Sequence, residues 1–282
     1  MTPRQHRLRY LLAGGFHGLA WSEWGPETGS PIVCVHGLTR TGRDFDPLAK
    51  ALAARGRRVF CPDLPGRGAS DRLPDPMLYT PPNYVVALAH LLARLDGPVD
   101  WVGTSLGGMC GMMVAAAGAG HPIRRLVLND IGSRVPASAT DRISAYVRQE
   151  LAFHDLDALE AHLRLVHAPF GPLTDAQWRH LALHSARELE DGRFGMHYDP
   201  AIAAPFEESP TGVDLSAVWS RVAVPTLLLR GAESDILEAG TAEEMARRPG
   251  VELVTLPGIG HAPALMDPGQ IACVADFLNG RS

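Results

Sequence analysis

The feature that most restricts how this chain can fold is its alternation of short apolar runs with helix-patterned segments. Residues 32–35 (Ile-Val-Cys-Val), 57–61, 99–104 and 123–129 read as strands, and so, further on, do 222–230 and 251–256. Helical spacing fills 45–55, 82–95 and 106–119 between them. Strand, helix, strand in succession implies a mostly parallel sheet with helices on both faces, an α/β fold. Ahead of it, residues 7–13 and 16–23 flank Gly14-Gly15 and predict a hairpin that lends antiparallel strands to one sheet edge.

The alternation stops near Gly132 and resumes near Val213. Between them, helical spacing covers 141–151, 156–166 and 175–189, broken by Pro169-Phe170-Gly171-Pro172 and by Asp191-Gly192. Thr140, Asp155 and Thr174 are expected N-caps, and Thr174 with Gln177 fits a capping box. The expected organisation is therefore a core from 1–132 and 214–282, interrupted by a helical cap at 133–213. No internal repeat and no low-complexity linker is evident.

At 282 residues the chain can bury one large core that carries an insertion. A formal charge of −5, with both signs interspersed, gives no electrostatic reason for nucleic-acid binding. Cys34, Cys61, Cys110 and Cys273 lack CxxC spacing and fall within expected strands and helices, so buried free thiols in a reducing compartment are expected. The N-terminal apolar runs are broken by Gly14-Gly15 and too short for a signal core, and no run reaches membrane-spanning length. A cytoplasmic protein with no membrane partner is the expectation. A homodimer is compatible with the sequence without being demanded by it.

Chemistry enters at Gly103-Thr104-Ser105-Leu106-Gly107, between an expected strand and an expected helix. On so sharp a turn a serine hydroxyl is held exposed, and glycines two residues either side remove the Cβ atoms that would clash. A hydroxyl needs a base, normally an imidazole, and the imidazole needs a carboxylate to orient it. Asp235 lies just past the 222–230 strand, and His261 follows the 251–256 strand and its Pro257-Gly258-Ile259-Gly260 turn. Loops leaving the carboxyl ends of parallel strands gather on one edge, where sites form. Asp235 is the expected acid, with Glu233 and with Asp130, at the end of the 123–129 strand, as rivals.

With Val35-His36-Gly37-Leu38, the run Cys61-Pro62-Asp63-Leu64-Pro65-Gly66-Arg67-Gly68-Ala69-Ser70-Asp71 and Gly260-His261-Ala262-Pro263, the chain resembles the α/β-hydrolase superfamily. More narrowly it resembles bacterial carboxylesterase-like serine hydrolases with a helical cap. The resemblance implies Ser105, His261 and Asp235 as catalytic residues and the backbone N–H groups of Leu38 and Leu106 as the oxyanion hole. It implies a small-molecule ester substrate, no cofactor and no metal. A lactonase or a carbon–carbon bond hydrolase would use the same triad, and a ligand receptor would keep the fold with little turnover. Serine at the elbow argues against a haloalkane dehalogenase. Asp63, Arg67, Ser70 and Asp71 read as a structural loop with Arg67 in an ion pair, and His36 as a brace for the oxyanion loop. His167, Phe170, Trp178, His197 and Tyr198 are candidate pocket residues; Arg142, Arg148, Arg164 and Arg179 read as solvated helix faces, any of which could meet a substrate carboxylate.

Overall fold

Eight strands pair into one sheet in the computed structural model, which describes residues 1–118, 120–147, 149–207 and 212–280. In chain order the first half comprises β1 (Arg4–Leu12), β2 (Gly15–Trp24), β3 (Pro31–Val35), α1 (Asp46–Ala54), β4 (Arg58–Pro62), α2 (Pro81–Leu92), β5 (Val99–Thr104), α3 (Leu106–Ala115) and β6 (Ile123–Asn129). An insertion follows with β7 (Arg134–Val135), α4 (Ala137–Val147), β8 (Ala152–Phe153), α5 (Leu156–Val166), α6 (Asp175–Ser185), β9 (Ala186–Glu188), β10 (Phe194–Met196), α7 (Ala204–Glu207) and β11 (Val213–Asp214). The chain closes with α8 (Ser216–Trp219), β12 (Thr226–Gly231), α9 (Ala239–Ala246), β13 (Val251–Leu256) and α10 (Pro268–Leu278).

The sheet order is β1-β2-β4-β3-β5-β6-β12-β13. The β1–β2 hairpin is antiparallel and joins β4 antiparallel, whereas β4, β3, β5, β6, β12 and β13 are mutually parallel. The expected α/β-hydrolase architecture is thus observed. Two-residue periodicity explains why the inner strands are apolar throughout: Val33, Phe60, Trp101, Leu126, Leu128 and Leu228 pack on one face, and Ile32, Val59, Val102, Val127, Leu227 and Leu229 on the other. Cys34 and Cys61 are buried on the second face and Cys110 on the first. Among the described residues, no helix is long and apolar enough to cross a membrane.

The insertion starts and ends side by side. Val135 pairs with Val213 and Arg134 with Asp214, so a two-stranded ribbon holds both ends together at the edge of the core. Its interior is less purely helical than the spacing predicts. Helix α6 ends at Ser185, and the next residues form β9, which joins β10 and β8 in a small sheet. Asp155 caps α5 through Ala158 N–H at 2.8 Å, and Thr174 and Gln177 complete the capping box. Thr140 is not an N-cap: α4 begins earlier, after Pro136, and the Thr140 hydroxyl donates to the Ala137 carbonyl at 2.7 Å within the helix.

Candidate active site

Ser105 sits between β5 and α3 at φ 51°, ψ −116°, a left-handed conformation that carries about 1–3 kcal/mol of strain for a non-glycine residue. The surroundings enforce it. Ser105 N–H donates to the Asn129 carbonyl at 2.9 Å, and the Ser105 carbonyl receives Gly108 and Met109 N–H at 2.9 and 3.0 Å. A Cβ on Gly103 would lie 2.4 Å from the Gly107 carbonyl, and one on Gly107 would lie 2.0 Å from the Val35 carbonyl oxygen. Glycine at both positions lets the first turn of α3 press against the strand ends, which fixes where the serine hydroxyl points.

His261 arrives from the far side of the sheet, after β13 and its turn. Its Nε2 lies 3.0 Å from Ser105 Oγ, and its Nδ1 lies 2.7 Å from Asp130 Oδ2. An ionised carboxylate only accepts hydrogen bonds, so Nδ1 carries the proton and Nε2 is left with its lone pair toward the serine hydroxyl. The imidazole is 17% exposed and the Asp130 side chain is fully buried, so the pair acts in a partly dry environment.

The carboxylate bonded to His261 is Asp130, which corrects the expectation for Asp235. Asp130 follows β6 directly, at φ 56°. Its Oδ1 accepts Gly231 N–H at 2.9 Å, and its Oδ2 accepts the Ser234 hydroxyl at 2.5 Å. The loop after β12 folds back through the Ser234 N–H to Gly231 carbonyl bond, so its Gly231–Ser234 corner faces Asp130 and supplies donors in place of an acid. Asp235, one residue further, turns to the rim, half-exposed, where Arg142 of α4 contacts its Oδ2 at 2.6 Å. The rival Glu233 makes no side-chain bond to His261 among the described residues, and its N–H donates to the Ile259 carbonyl. Sheet pairing explains the choice: β6 neighbours β5, and Thr104 pairs with Asn129, so the residue after β6 emerges beside the serine.

The loop after β3 forms the opposite wall. His36 is buried, donates from Nδ1 to the Gly37 carbonyl at 2.6 Å and accepts Leu64 N–H on Nε2 at 2.9 Å. Burial pushes its pKa down to about 3, so it is neutral and braces the loop. Among the described residues, Arg67 makes hydrogen bonds in place of the expected ion pair. Its guanidinium instead donates to the carbonyls of Leu38 at 2.8 Å and Pro65 at 2.6 Å and to the Tyr84 hydroxyl at 2.8 Å. Asp63 accepts Gly42 and Ala69 N–H, Ser70 donates to the Asp63 carbonyl, and Asp71 pairs with Arg7, so that loop is structural. Leu106 opens α3, where no preceding helical carbonyl can take its N–H.

Between core and insertion lies a cavity of about 400 Å³, within the usual range for small-molecule sites. Ser105 and His261 open into it with Leu38, and Val147, Val166 and Phe170 supply apolar wall. Two cations also line it: Arg142, and the buried Arg40, which sequence reasoning missed although it stands two residues past Leu38. Arg40 pairs with Asp44 at 2.7 Å and lies 3.5 Å from His167 Nε2. Burial and Arg40 together hold the His167 imidazole neutral, well below its ordinary pKa.

Of the other expected pocket residues, His167 and Phe170 reach this cavity, stacked 4.5 Å apart. Trp178 is buried in the core with Arg164 over its ring, and Tyr198 lines a separate cavity with Arg72. His197 is held by its backbone, donating to the Ser185 carbonyl and accepting Gly68 N–H. Arg164 pairs with Glu160 and Asp175, Arg179 pairs with Asp157, and Arg148 lies outside the described residues.

Comparison with known proteins shows the family to which the chain is similar. The model of the Alpha/beta hydrolase family matches residues 32–272. A 3-hydroxybutyrate-oligomer hydrolase from Cupriavidus necator is 41% identical over 291 aligned positions, covering 99% of both chains. A pimeloyl-[acyl-carrier protein] methyl ester esterase from Xanthomonas campestris is 29% identical and covers 86% of this chain and 92% of its own. Among solved structures, an alpha/beta hydrolase from Novosphingobium aromaticivorans superimposes with a TM-score of 0.88 at 38% identity, covering 99% of this chain and 98% of that one.

Proposed function

Because the chain belongs to the alpha/beta hydrolase family and is a hydrolase with esterase-type relatives, we propose that it cleaves small carboxylic esters through an acyl-enzyme on Ser105. The observation that carries the reading is His261 bonded at once to Ser105 Oγ and to Asp130. In this mechanism Nε2 takes the hydroxyl proton as Oγ attacks the ester carbonyl carbon. The N–H groups of Leu38 and Leu106 receive the charge that develops on the carbonyl oxygen. Collapse breaks the bond to the alcohol, which leaves with the proton returned by His261. Water, deprotonated by the same nitrogen, then attacks the acyl carbon and releases the acid and Ser105. Asp130 holds the imidazole in the required tautomer and balances its charge while protonated. Residues 133–213 act as the cap that bounds the substrate cavity.

The finer reading concerns the ester. Short oligoesters of hydroxy acids fit an apolar cavity with guanidinium groups in its wall, since each ends in a carboxylate. The Cupriavidus relative named as a 3-hydroxybutyrate-oligomer hydrolase supports the same class. The test has two arms. A fluorophosphonate should add its mass to the Ser105 peptide of the wild type and leave Ser105→Ala unlabelled. Release of free hydroxy acid from a linear dimer should then exceed turnover of matched lactones and vinylogous diketones. No label at Ser105 would refute the acyl-enzyme, and preference for a lactone or diketone would refute the oligoester reading.

A further inference from the structure

A second cluster of ligating side chains joins the cap to the core away from Ser105. His180 and His184 stand one turn apart on α6, their rings 4.5 Å between centroids and edge to face. Residues four apart on a helix share one face, and across from this pair lies the buried carboxylate of Asp46, at the start of α1. One donor atom from each of the three lies within 4.8 Å of the others, and His180 Nε2 is 3.6 Å from Asp46 Oδ2. We propose that Asp46, His180 and His184 form a binding site for a zinc-class divalent transition-metal ion that ties the cap helix to the core.

The donor set selects the ion. Two imidazoles and one carboxylate suit zinc and its neighbours, with water in a fourth position, and are a poor match for magnesium or calcium. Bonds of about 2.0–2.1 Å to a tetrahedral ion bring donors to roughly 3.3 Å apart. The two histidines are only partly buried, and rotation of their rings is the movement that would close the gap.

Two interactions hold the cluster when no ion is bound. Arg43 donates to both Asp46 oxygens at 2.6–3.0 Å, and His180 Nε2 bonds the Arg43 carbonyl at 2.9 Å. Binding requires the Arg43 guanidinium, which is 27% exposed, to swing outward and His180 to shift its proton to Nδ1. Arg43 is therefore a competitor for the carboxylate, and removing it should favour the metal. The 36–46 loop that carries Asp46 also carries Leu38, Arg40 and Asp44, so an ion here fixes the cap against the wall of the ester cavity.

The experiment is calorimetric titration of the whole EDTA-treated protein with Zn²⁺ alone, read without substrate so that failure leaves the hydrolase reading untouched. One ion per chain is expected, with His184→Ala and Asp46→Asn each weakening it at least about tenfold and Arg43→Ala tightening it. Binding unchanged by His184→Ala overturns the site. Loss in His184→Ala with none in Asp46→Asn overturns the bridge to the core, leaving a chelate on the helix alone. Should Asp46→Asn fail to fold, Arg43→Ala decides: weaker or unchanged binding refutes the role of Asp46. Ester hydrolysis should persist in EDTA, and its loss would contradict a site separate from the catalytic machinery.

Discussion

His261 Nδ1 lies 2.7 Å from Asp130 Oδ2, and that carboxylate belongs to a residue with no solvent exposure, held by Gly231 N–H and the Ser234 hydroxyl. The imidazole is thus oriented by a group that is itself immobilised from a neighbouring strand end.

Replacing Asp130 by asparagine should lower kcat by about 10⁴, since an amide donor toward Nδ1 favours the wrong tautomer. Asp235→Asn should keep turnover of neutral esters near that of the wild type, because its partner is Arg142. Steady-state kinetics on p-nitrophenyl acetate decides; the reverse ranking would restore Asp235 as the acid.

Arg142→Ala should raise KM for esters ending in a free carboxylate and leave their methylated counterparts unaffected. The Arg142–Asp235 pair is half-exposed on both sides, so melting should change by less than about 1 kcal/mol. Equal KM changes for the charged and methylated substrates would remove Arg142 from carboxylate recognition.

Gly107→Ala should abolish folding or destabilise by more than about 4 kcal/mol, because the added methyl meets the Val35 carbonyl oxygen at 2.0 Å and backbone cannot yield cheaply on either side. Gly192→Ala, with nothing near its Cβ position, bears only the penalty of its positive φ. Denaturant melts of the two variants should therefore differ widely.

Acid should destabilise the fold through His36. Its pKa is depressed to about 3 from 6.5, so the unfolded chain binds more protons between those values, and stability present above pH 6.5 is lost as pH falls. Between pH 7 and pH 5 this one residue contributes about 2 kcal/mol of loss. Urea melts at the two pH values should show the loss in the wild type and a smaller one in His36→Gln.

Much of this architecture was legible from local pattern. The strands at 99–104, 123–129 and 251–256 and the capping box at Thr174 depend on neighbours in sequence and stand where pattern puts them; the expected hairpin forms too, with its turn at Ala13-Gly14 and both strands longer than expected. Serine at a glycine-flanked turn and histidine after the last strand were equally readable, because each announces itself by its own flanking residues. The β9 strand after α6 was not, since Ala186–Glu188 becomes a strand only because β10 returns beside it.

The choice among carboxylates belonged to tertiary structure. Asp130 and Asp235 both follow strands, and nothing local distinguishes them; sheet order puts β6 between β5 and β12, so Asp130 emerges nearest Ser105 while the Gly231–Ser234 turn carries Asp235 outward to Arg142. The partners of Arg67, the burial of Arg40 and the meeting of Asp46 with His180 and His184 of α6 are of the same kind. Sequence by itself determined which side chains could do chemistry and which backbone positions had to be glycine. Which of those side chains meet was decided by the folding of distant segments onto one sheet edge, because hydrogen bonds and burial act over a few ångströms of space irrespective of separation along the chain.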